Sequence, residues 1–294
     1  MRAFKRLWRF LVVKPLNFIQ NYFKSCLFIL LIIVLCIAFT PPQTQNINLA
    51  RIYLEGPIFR SDLFATQIES LKKFPNLKGV LLIIDSPGGG LSPSVEIADM
   101  IEELNTKIPV VAYVRGTMAS GSYYAGMYSR FIVANRGAMI GSIGVIFNGY
   151  NIEELLGKIG IQSQGLKAGE FKEAGTFTRK WSENEKAYLQ KFLNQQYAMF
   201  VRDVANARAK TLGQIDYKIY AEGKIFNAFD AKEVGLIDLV GTQKSAVNIL
   251  QELSGVPNPV WAKESPIDSY LKKISAEAMF AIFSQVNTIN AMAQ

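Results

Sequence analysis

A near-continuous apolar run, GVLLIID at residues 79–85, most constrains the fold of this chain. A strand without polar alternation is typical of a parallel sheet that is covered by helices on both faces. Strand-like runs at Leu49 to Glu55, Pro109 to Val114 and Arg130 to Ala134 alternate with helical patterns. This alternation predicts an α/β fold.

Three glycines follow the apolar run, in SPGGG at residues 86–90, and a helix is predicted from about Pro93. Glycines after a strand allow backbone N–H groups to approach a bound group closely. Neither G-x-G-x-x-G nor G-x-x-x-x-G-K-[ST] occurs at this turn, which argues against a nucleotide. The turn predicts close backbone contact with some other ligand.

A second turn, RGTMASGSYYAG at residues 115–126, places Ser120 between a strand and a predicted helix. The unused N–H groups and the dipole at a helix start favour developing negative charge. Ser120 therefore has the position expected of a nucleophile. A plain helix N-cap is the alternative interpretation of the same serine.

The chain contains no histidine, which excludes a Ser-His-Asp triad and histidine metal ligands. Both cysteines, Cys26 and Cys36, lie in an apolar N-terminal run, so no thiol nucleophile or cysteine-ligated zinc site is expected in the rest of the chain. A nucleophilic hydrolase of this composition needs a serine or threonine activated by Lys, Asp or Glu, and the Ser-Lys pair is the established variant. No cofactor and no metal are expected.

The formal net charge of +8 belongs mostly to the N-terminus. Six of the 32 basic residues lie within the first 24 positions, which contain no acid, and this leaves 26 basic against 24 acidic residues elsewhere. Nothing in that balance predicts a nucleic-acid partner. The basic excess is typical of a segment next to a membrane.

An uncharged run from Ser25 to Thr40 follows the basic segment. As a helix it spans about 24 Å, slightly less than a bilayer core, so flanking residues must help. We predict an uncleaved transmembrane anchor; a cleaved signal peptide is the alternative. The charge asymmetry predicts a single-pass protein of the cell (inner) membrane, with a cytoplasmic N-terminus and an extracytoplasmic catalytic domain.

The second half of the chain contains a strong helix-start signal. Ser182 and Glu185 form a capping-box pattern that predicts a long helix to about Lys210. A strand is predicted from Ile161 to Leu166, and an amphipathic helix from Tyr270 to Ile289. The apolar residues of the long helix are expected to face inward: Leu189, Phe192, Leu193, Phe200 and Val204.

Four stretches with candidate site residues follow one another along the chain: IDSPGGG, GTMASGSYY, IGSIGVI and LKAGEFKEAG. Together they resemble the signal peptide peptidase A family of membrane-anchored Ser-Lys peptidases, over roughly residues 51–241. The resemblance implies a Clp-protease/crotonase-like fold of repeated β-β-α units, behind an N-terminal transmembrane helix. It also implies peptide substrates (cleaved signal peptides and unfolded segments), a lipid bilayer and further copies of the chain as partners.

The resemblance also assigns the site residues. It implies Ser120 as nucleophile, Lys172 as general base and Ser142 as the serine that orients the lysine. The oxyanion hole is expected from the N–H groups of Gly89 and Gly121. A substrate strand is expected beside Gly88, Gly90 and Leu91.

Two departures from the family pattern concern the nucleophile turn. Ser122 stands where a second glycine is common, and Met118 stands where a small residue is usual.

A lysine that acts as a general base must be neutral to accept a proton, which requires burial among apolar neighbours. Lys172 is therefore expected in such surroundings, with Glu170 and Glu173 facing away from it.

The predicted organisation has five parts: a basic cytoplasmic segment (1–24), an anchor (25–40), a linker (41–46), the Ser-Lys peptidase domain (47–255) and a C-terminal helical extension (256–294). A serine endopeptidase is the predicted function. Two other classes stay open at this point. One is a crotonase-type acyl-thioester enzyme without a serine nucleophile, and the other is a non-catalytic membrane scaffold.

Overall fold

The computed structural model describes residues 22–39 and 46–263. The chain divides into two compact units, residues 1–46 and 47–294. The first unit contains helix α1 (Phe23–Phe39), which is 17 residues long. Within the two described ranges, no helix combines the length and hydropathy that a bilayer crossing requires. The anchor predicted at residues 25–40 is thus not confirmed.

The second unit is built from short strands and helices. In residues 46–263 the strands are β1 (Leu49–Glu55), β2 (Gly79–Ser86), β3 (Val110–Ala119), β4 (Phe131–Ala134), β5 (Met139–Gly141), β6 (Ile225–Asn227) and β7 (Leu239–Val240). The helices are α2 (Asp62–Leu71), α3 (Leu91–Lys107), α4 (Gly121–Gly126), α5 (Glu153–Lys158), α6 (Glu183–Ala207), α7 (Ala209–Leu212), α8 (Tyr217–Tyr220), α9 (Ala228–Glu233) and α10 (Gln243–Ser254).

The strands form one sheet with the order β1-β2-β3-β4-β7. All neighbours along this path are parallel. The last residues of β3 also pair with β5, which in turn pairs antiparallel with β6. The predicted α/β architecture with a parallel sheet is confirmed.

Helices cover both faces of the sheet, which explains the apolar run in β2. Leu81 and Ile83 face a cluster that includes Leu250 of α10. Leu82 and Ile84 face the larger cluster on the other side, to which α3, α4 and α6 contribute. Because alternate residues of a strand point to opposite faces, both sets are buried and no polar position is left.

Strand β3 is longer than its sequence predicts. The apolar run stops at Val114 and Gly116 is expected to break it, yet the strand continues to Ala119. The Asp85 carboxylate makes this extension possible, because its Oδ1 accepts the Thr117 N–H at 3.0 Å where the register with β2 shifts. A Cβ on residue 116 would lie 2.5 Å from the same oxygen, so the glycine is a packing requirement.

The capping box of α6 is confirmed. Ser182 Oγ accepts the Glu185 N–H, and Glu185 accepts the Ser182 N–H in return. The helix ends at Ala207, and Phe200 and Val204 are buried as predicted. Phe192 is 51% exposed, so its predicted inward orientation is wrong.

Two other predictions concern residues 161–166 and the C-terminal extension from residue 256. The strand predicted at Ile161 to Leu166 is wrong, since these residues have no regular structure and are exposed. Residues 256–263, the described start of the predicted helical extension, form no helix. Trp261 pairs with Leu49, and the Ala262 N–H donates to the Leu49 carbonyl at 2.9 Å. The helix predicted at Tyr270 to Ile289 lies outside the described residues.

Candidate active site

Ser120 lies at the turn where β3 ends and α4 begins. Its backbone has φ 52° and ψ −124°, a conformation that L-residues rarely adopt. Two hydrogen bonds hold the turn: the Ser120 N–H donates to the Gly141 carbonyl at 2.8 Å, and the Tyr124 N–H donates to the Ser120 carbonyl at 3.0 Å. The Ser120 hydroxyl caps no N–H of α4. The alternative interpretation as a side-chain N-cap is therefore wrong.

The glycine turn after β2 packs directly against this serine. A Cβ on Gly88, whose φ is 93°, would lie 2.6 Å from the Gly121 nitrogen and 3.0 Å from Ser120 Cβ. A Cβ on Gly121 would lie 2.3 Å from Ser94 Oγ and 3.1 Å from the Gly89 nitrogen. Both backbones approach each other as only glycines allow.

The pairing of Ile58 orients the N–H of Gly89. The Ile58 N–H donates to the Gly88 carbonyl and the Gly90 N–H donates to the Ile58 carbonyl, both at 2.8 Å. Because groups alternate in direction along an extended chain, the Gly89 N–H points to the opposite side, where Gly121 lies. The Gly121 N–H belongs to the first turn of α4 and has no intrahelical acceptor. The N–H groups of both glycines thus lie near Ser120 and have no acceptor among the described residues.

The same pairing uses two polar groups of the glycine turn, beside which a substrate strand is expected. The Gly88 carbonyl and the Gly90 N–H are both bonded to Ile58. Leu91 is the first residue of α3 and is half-buried. Of the predicted turn, Leu91 and the far side of Gly89 remain for a ligand.

Ser142 is close to Ser120 through the pairing of β3 with β5. Gly141 is the register partner of Ala119, so each serine follows one member of the same pair. Ser142 has φ 50°, and its N–H donates to the Lys224 carbonyl at 2.6 Å. The structure therefore brings these two predicted site residues together.

In the described part of the chain, Lys172 forms no hydrogen bond with Ser120. It lies in an irregular turn, its side chain is exposed, and in the described part of the chain its amine forms no hydrogen bond or ion pair. The expected burial of Lys172 among apolar neighbours is therefore wrong for this structure. Glu173 instead contacts Lys167 and Arg179, each at 3.5 Å.

The turn that carries Lys172 is attached to the start of α6. Phe171 stacks on Tyr188 with 4.5 Å between ring centroids. Arg179 donates to both carboxylate oxygens of Glu185, at 2.9 and 2.6 Å. These hydrogen bonds lower the pKa of Glu185 from 4.5 to about 2. The exposed lysine is thus carried by a turn that these contacts hold against the start of α6.

Helix α4 is fixed by the two tyrosines that follow Ser122. The Tyr123 hydroxyl donates to the Leu236 carbonyl at 2.9 Å, and the Tyr124 hydroxyl donates to Asp203. Burial raises the pKa of both phenols, so they stay protonated and keep donating. The sequence identified these tyrosines only as helix formers.

Comparisons with known proteins give two family matches. Residues 102–257 match the family described as Peptidase family S49, and residues 47–155 match Clp protease. The chain belongs to peptidase family S49. Family membership supports a serine-type peptidase, and the predicted resemblance is confirmed.

Two relatives illustrate the extent of the similarity. A protein of Methanocaldococcus jannaschii, named as a candidate protease, is 42% identical over 193 residues, which cover 65% of this chain and 61% of that one. A candidate signal peptide peptidase of Enterococcus faecium is 36% identical over 190 residues, 64% of this chain and 55% of that one. The S49 chain therefore spans less than two thirds of either relative.

The fold is shared with a solved structure, the 1510-N membrane-bound stomatin-specific protease in complex with a substrate peptide. The TM-score is 0.50 at 17% identity, over 78% of this chain and 98% of that one. At this level of identity the likeness concerns the fold alone. The Clp-protease-like part of the fold prediction is confirmed.

Proposed function

We propose that this S49 chain is a serine endopeptidase that uses a Ser120–Lys172 dyad to degrade cleaved signal peptides and other unfolded segments at a membrane. The observation that carries the proposal is the turn at Ser120. A serine with a strained backbone stands beside the backbone nitrogens of Gly89 and Gly121, two glycines whose chains pack closely together. Strain of this kind is typical of functional sites.

The first chemical step follows from this arrangement. Ser120 Oγ attacks the carbonyl carbon of a peptide bond, and its proton passes to the neutral amine of Lys172. The carbonyl oxygen becomes an oxyanion that accepts hydrogen bonds from the N–H groups of Gly89 and Gly121. Collapse of the intermediate breaks the C–N bond, and the lysine returns the proton to the leaving amine. Water then hydrolyses the acyl-enzyme by the same route.

The exposed position of Lys172 sets a requirement on this step. Its amine has to reach Ser120 either by movement of its own turn or from a second copy of the chain. Ser142, next to Ser120, is the proposed residue that orients the amine once it arrives. Residues 116–126 around Ser120 contain no charged side chain, which supports a preference for apolar and small side chains at the cleaved position.

The remaining parts of the proposal concern location. The basic N-terminal segment supports a cytoplasmic N-terminus, a single membrane anchor and an extracytoplasmic catalytic domain.

The two other function classes, an acyl-thioester enzyme and a scaffold, differ from the peptidase in one property. Neither a crotonase-type acyl-thioester enzyme nor a scaffold has a reactive serine at position 120.

A fluorophosphonate probe tests the proposal. We expect the wild-type chain to be labelled at Ser120, whereas Ser120→Ala is not labelled and does not cleave peptides. Lys172→Ala is expected to be nearly as inactive, because nucleophile and base act as one unit. Lys172→Arg is not expected to rescue, since arginine stays protonated. Equal labelling of wild type and Ser120→Ala would contradict the proposal.

Mixing two inactive variants identifies the source of the lysine. If a second copy delivers Lys172, a mixture of Ser120→Ala and Lys172→Ala regains activity that neither has alone. If the lysine comes from the same chain, the mixture stays inactive. Substantial turnover by Lys172→Arg would show instead that the base lies elsewhere.

A further inference from the structure

Ser122 is a buried hydroxyl that the proposed chemistry does not use. It lies two residues after Ser120 and its exposed fraction is 0%. Its Oγ accepts the Ala119 N–H at 2.8 Å and donates to the Ser86 carbonyl at 2.6 Å, with the Ala119 carbonyl also within 2.9 Å. It occupies the position where the family resemblance leads one to expect glycine.

The contacts of Ser122 bridge the ends of two strands. Ser86 is the last residue of β2 and Ala119 is the last residue of β3. The ladder between these strands is irregular here, because the register shifts between Ile84 and Ser86. The Ser122 hydroxyl supplies a hydrogen-bonded link between an N–H of one strand and a carbonyl of the other.

Ser86 extends this link to the glycine turn. Its own Oγ accepts the Gly88 N–H at 3.2 Å. Ser86 is therefore bonded both to the turn that carries Gly89 and, through its carbonyl, to the turn that carries Gly121. The two N–H groups beside Ser120 are joined by a short path that runs from the Gly88 N–H through Ser86 to Ser122.

We propose that Ser122 is a positioning residue that fixes the separation of the Gly89 and Gly121 N–H groups. This inference rests on the proposed function, since it assigns Ser122 a role in stabilising the same oxyanion. A buried hydroxyl with three polar neighbours leaves little freedom to either turn, and preorganised donors are what an oxyanion site requires. Met118, the other departure from the family pattern, is buried in the core and packs next to Gly126 rather than in the site.

Ser122→Ala tests this role through a comparison of kcat with KM. Removal of the hydroxyl should lower kcat about 10- to 100-fold, as loss of a supporting shell does elsewhere, and leave KM within about threefold. A peptide aldehyde, whose adduct carries the oxyanion, should lose affinity by a similar factor. The same peptide without the aldehyde, bound to proteins that also carry Ser120→Ala, should keep its affinity.

Two further variants make the result interpretable. Ser129→Ala is the matched control, since this buried serine lies just before β4, at the opposite end of the parallel strands from Ser120, and its hydroxyl has no partner in residues 46–263; its kcat should equal that of the wild type. Ser122→Gly, which also removes the hydroxyl, replaces Ser122→Ala if the latter does not fold.

The possible failures are distinguishable. If the folded Ser122 variant keeps kcat and aldehyde affinity within about twofold of wild type, Ser122 is only structural and the inference is overturned. If kcat and KM change while aldehyde affinity does not, the inference is also overturned, because the oxyanion donors are then intact. A wild-type chain that the fluorophosphonate does not label overturns the proposed function itself.

Discussion

Strain is concentrated at a few residues of the S49 site. Among the described residues, the non-glycine residues with positive φ are Ser120, Ser142 and Glu222. Backbone hydrogen bonds connect the segments that carry them. The Ser120 N–H donates to the Gly141 carbonyl, and the N–H of Ser142, the residue after Gly141, donates to the carbonyl of Lys224, which lies two residues after Glu222. Each such conformation costs on the order of 1–3 kcal/mol and persists only when its surroundings over-determine it. The site is therefore held by its tertiary contacts.

A prediction at the residue scale concerns the ion pair of Arg208 with Asp238. Arg208 is 5% exposed and donates to Asp238 Oδ1 at 2.9 Å, while Asp238 Oδ2 accepts the Ile132 N–H at 2.7 Å. Asp238→Ala leaves a buried, unpaired guanidinium, so we expect it to lower the free energy of unfolding by about 3–5 kcal/mol in urea titrations. The double variant with Arg208→Met should lose less. A double variant as unstable as the single one would contradict this explanation.

At the scale of elements, the start of α6 depends on one carboxylate. Arg179 and the cap hold Glu185, and because its pKa is lowered from 4.5 to about 2, its ionised form stabilises the fold. We expect Glu185→Gln to speed amide hydrogen exchange over the first two turns of α6 and to leave the exchange near Phe200 unchanged. Equal protection at both ends of the helix in this variant would contradict the prediction.

The same carboxylate gives a pH dependence with a defined sign. A lowered pKa contributes stability that is fully present above about pH 4.5 and is lost as the pH falls through about 2. The difference in unfolding free energy between wild type and Glu185→Gln should therefore be constant near neutrality and shrink between these two values. Lys191→Gln, at an exposed position of the same helix whose amine forms no ion pair among the described residues, is the control, and its difference should show no such change over that interval.

At the scale of the whole molecule, an apolar arm suggests self-association. We define the arm as residues 145–181, in which helix α5 has no buried residue. Several large apolar side chains of the arm are exposed, among them Ile159 at 60% and Leu166 fully, and exposed apolar patches are typical of interaction sites. A homo-oligomer, which the family resemblance implies, would cover this surface.

Sedimentation velocity of the full chain in detergent tests this expectation. Wild type should sediment as an assembly, and Ile159→Asp combined with Leu166→Asp should shift it toward the monomer, because two charges would then be buried in the interface. Leu253→Asp, at an exposed position of α10 outside the arm, should leave the assembly unchanged. An active wild-type monomer at micromolar concentration would contradict the prediction.

Much of this fold was determined by local sequence. The bounds of β1 are those predicted from its apolar run, and β2 extends only one residue further. Both depend on periodicity and on breakers such as Pro87, which act over a few residues. The capping box of Ser182 and Glu185 is equally local, because both hydrogen bonds lie within one helical turn. The turn at Ser120 could be located because a strand, a glycine and a helix start are adjacent in the chain.

Contacts between segments that are distant in the sequence are seen only in the tertiary structure. The extension of β3 to Ala119 depends on Asp85, 32 residues from its partner Thr117, and the pairing of Ile58 with Gly89 depends on a loop that no periodicity marks. Phe192 has an apolar side chain at a core-like spacing but no neighbour to cover it. In the sequence Ser122 is only a departure from the family pattern, whereas in the structure its hydroxyl joins the ends of β2 and β3. Sequence specifies which groups are available, whereas burial and hydrogen bonding depend on which segments meet in the folded chain.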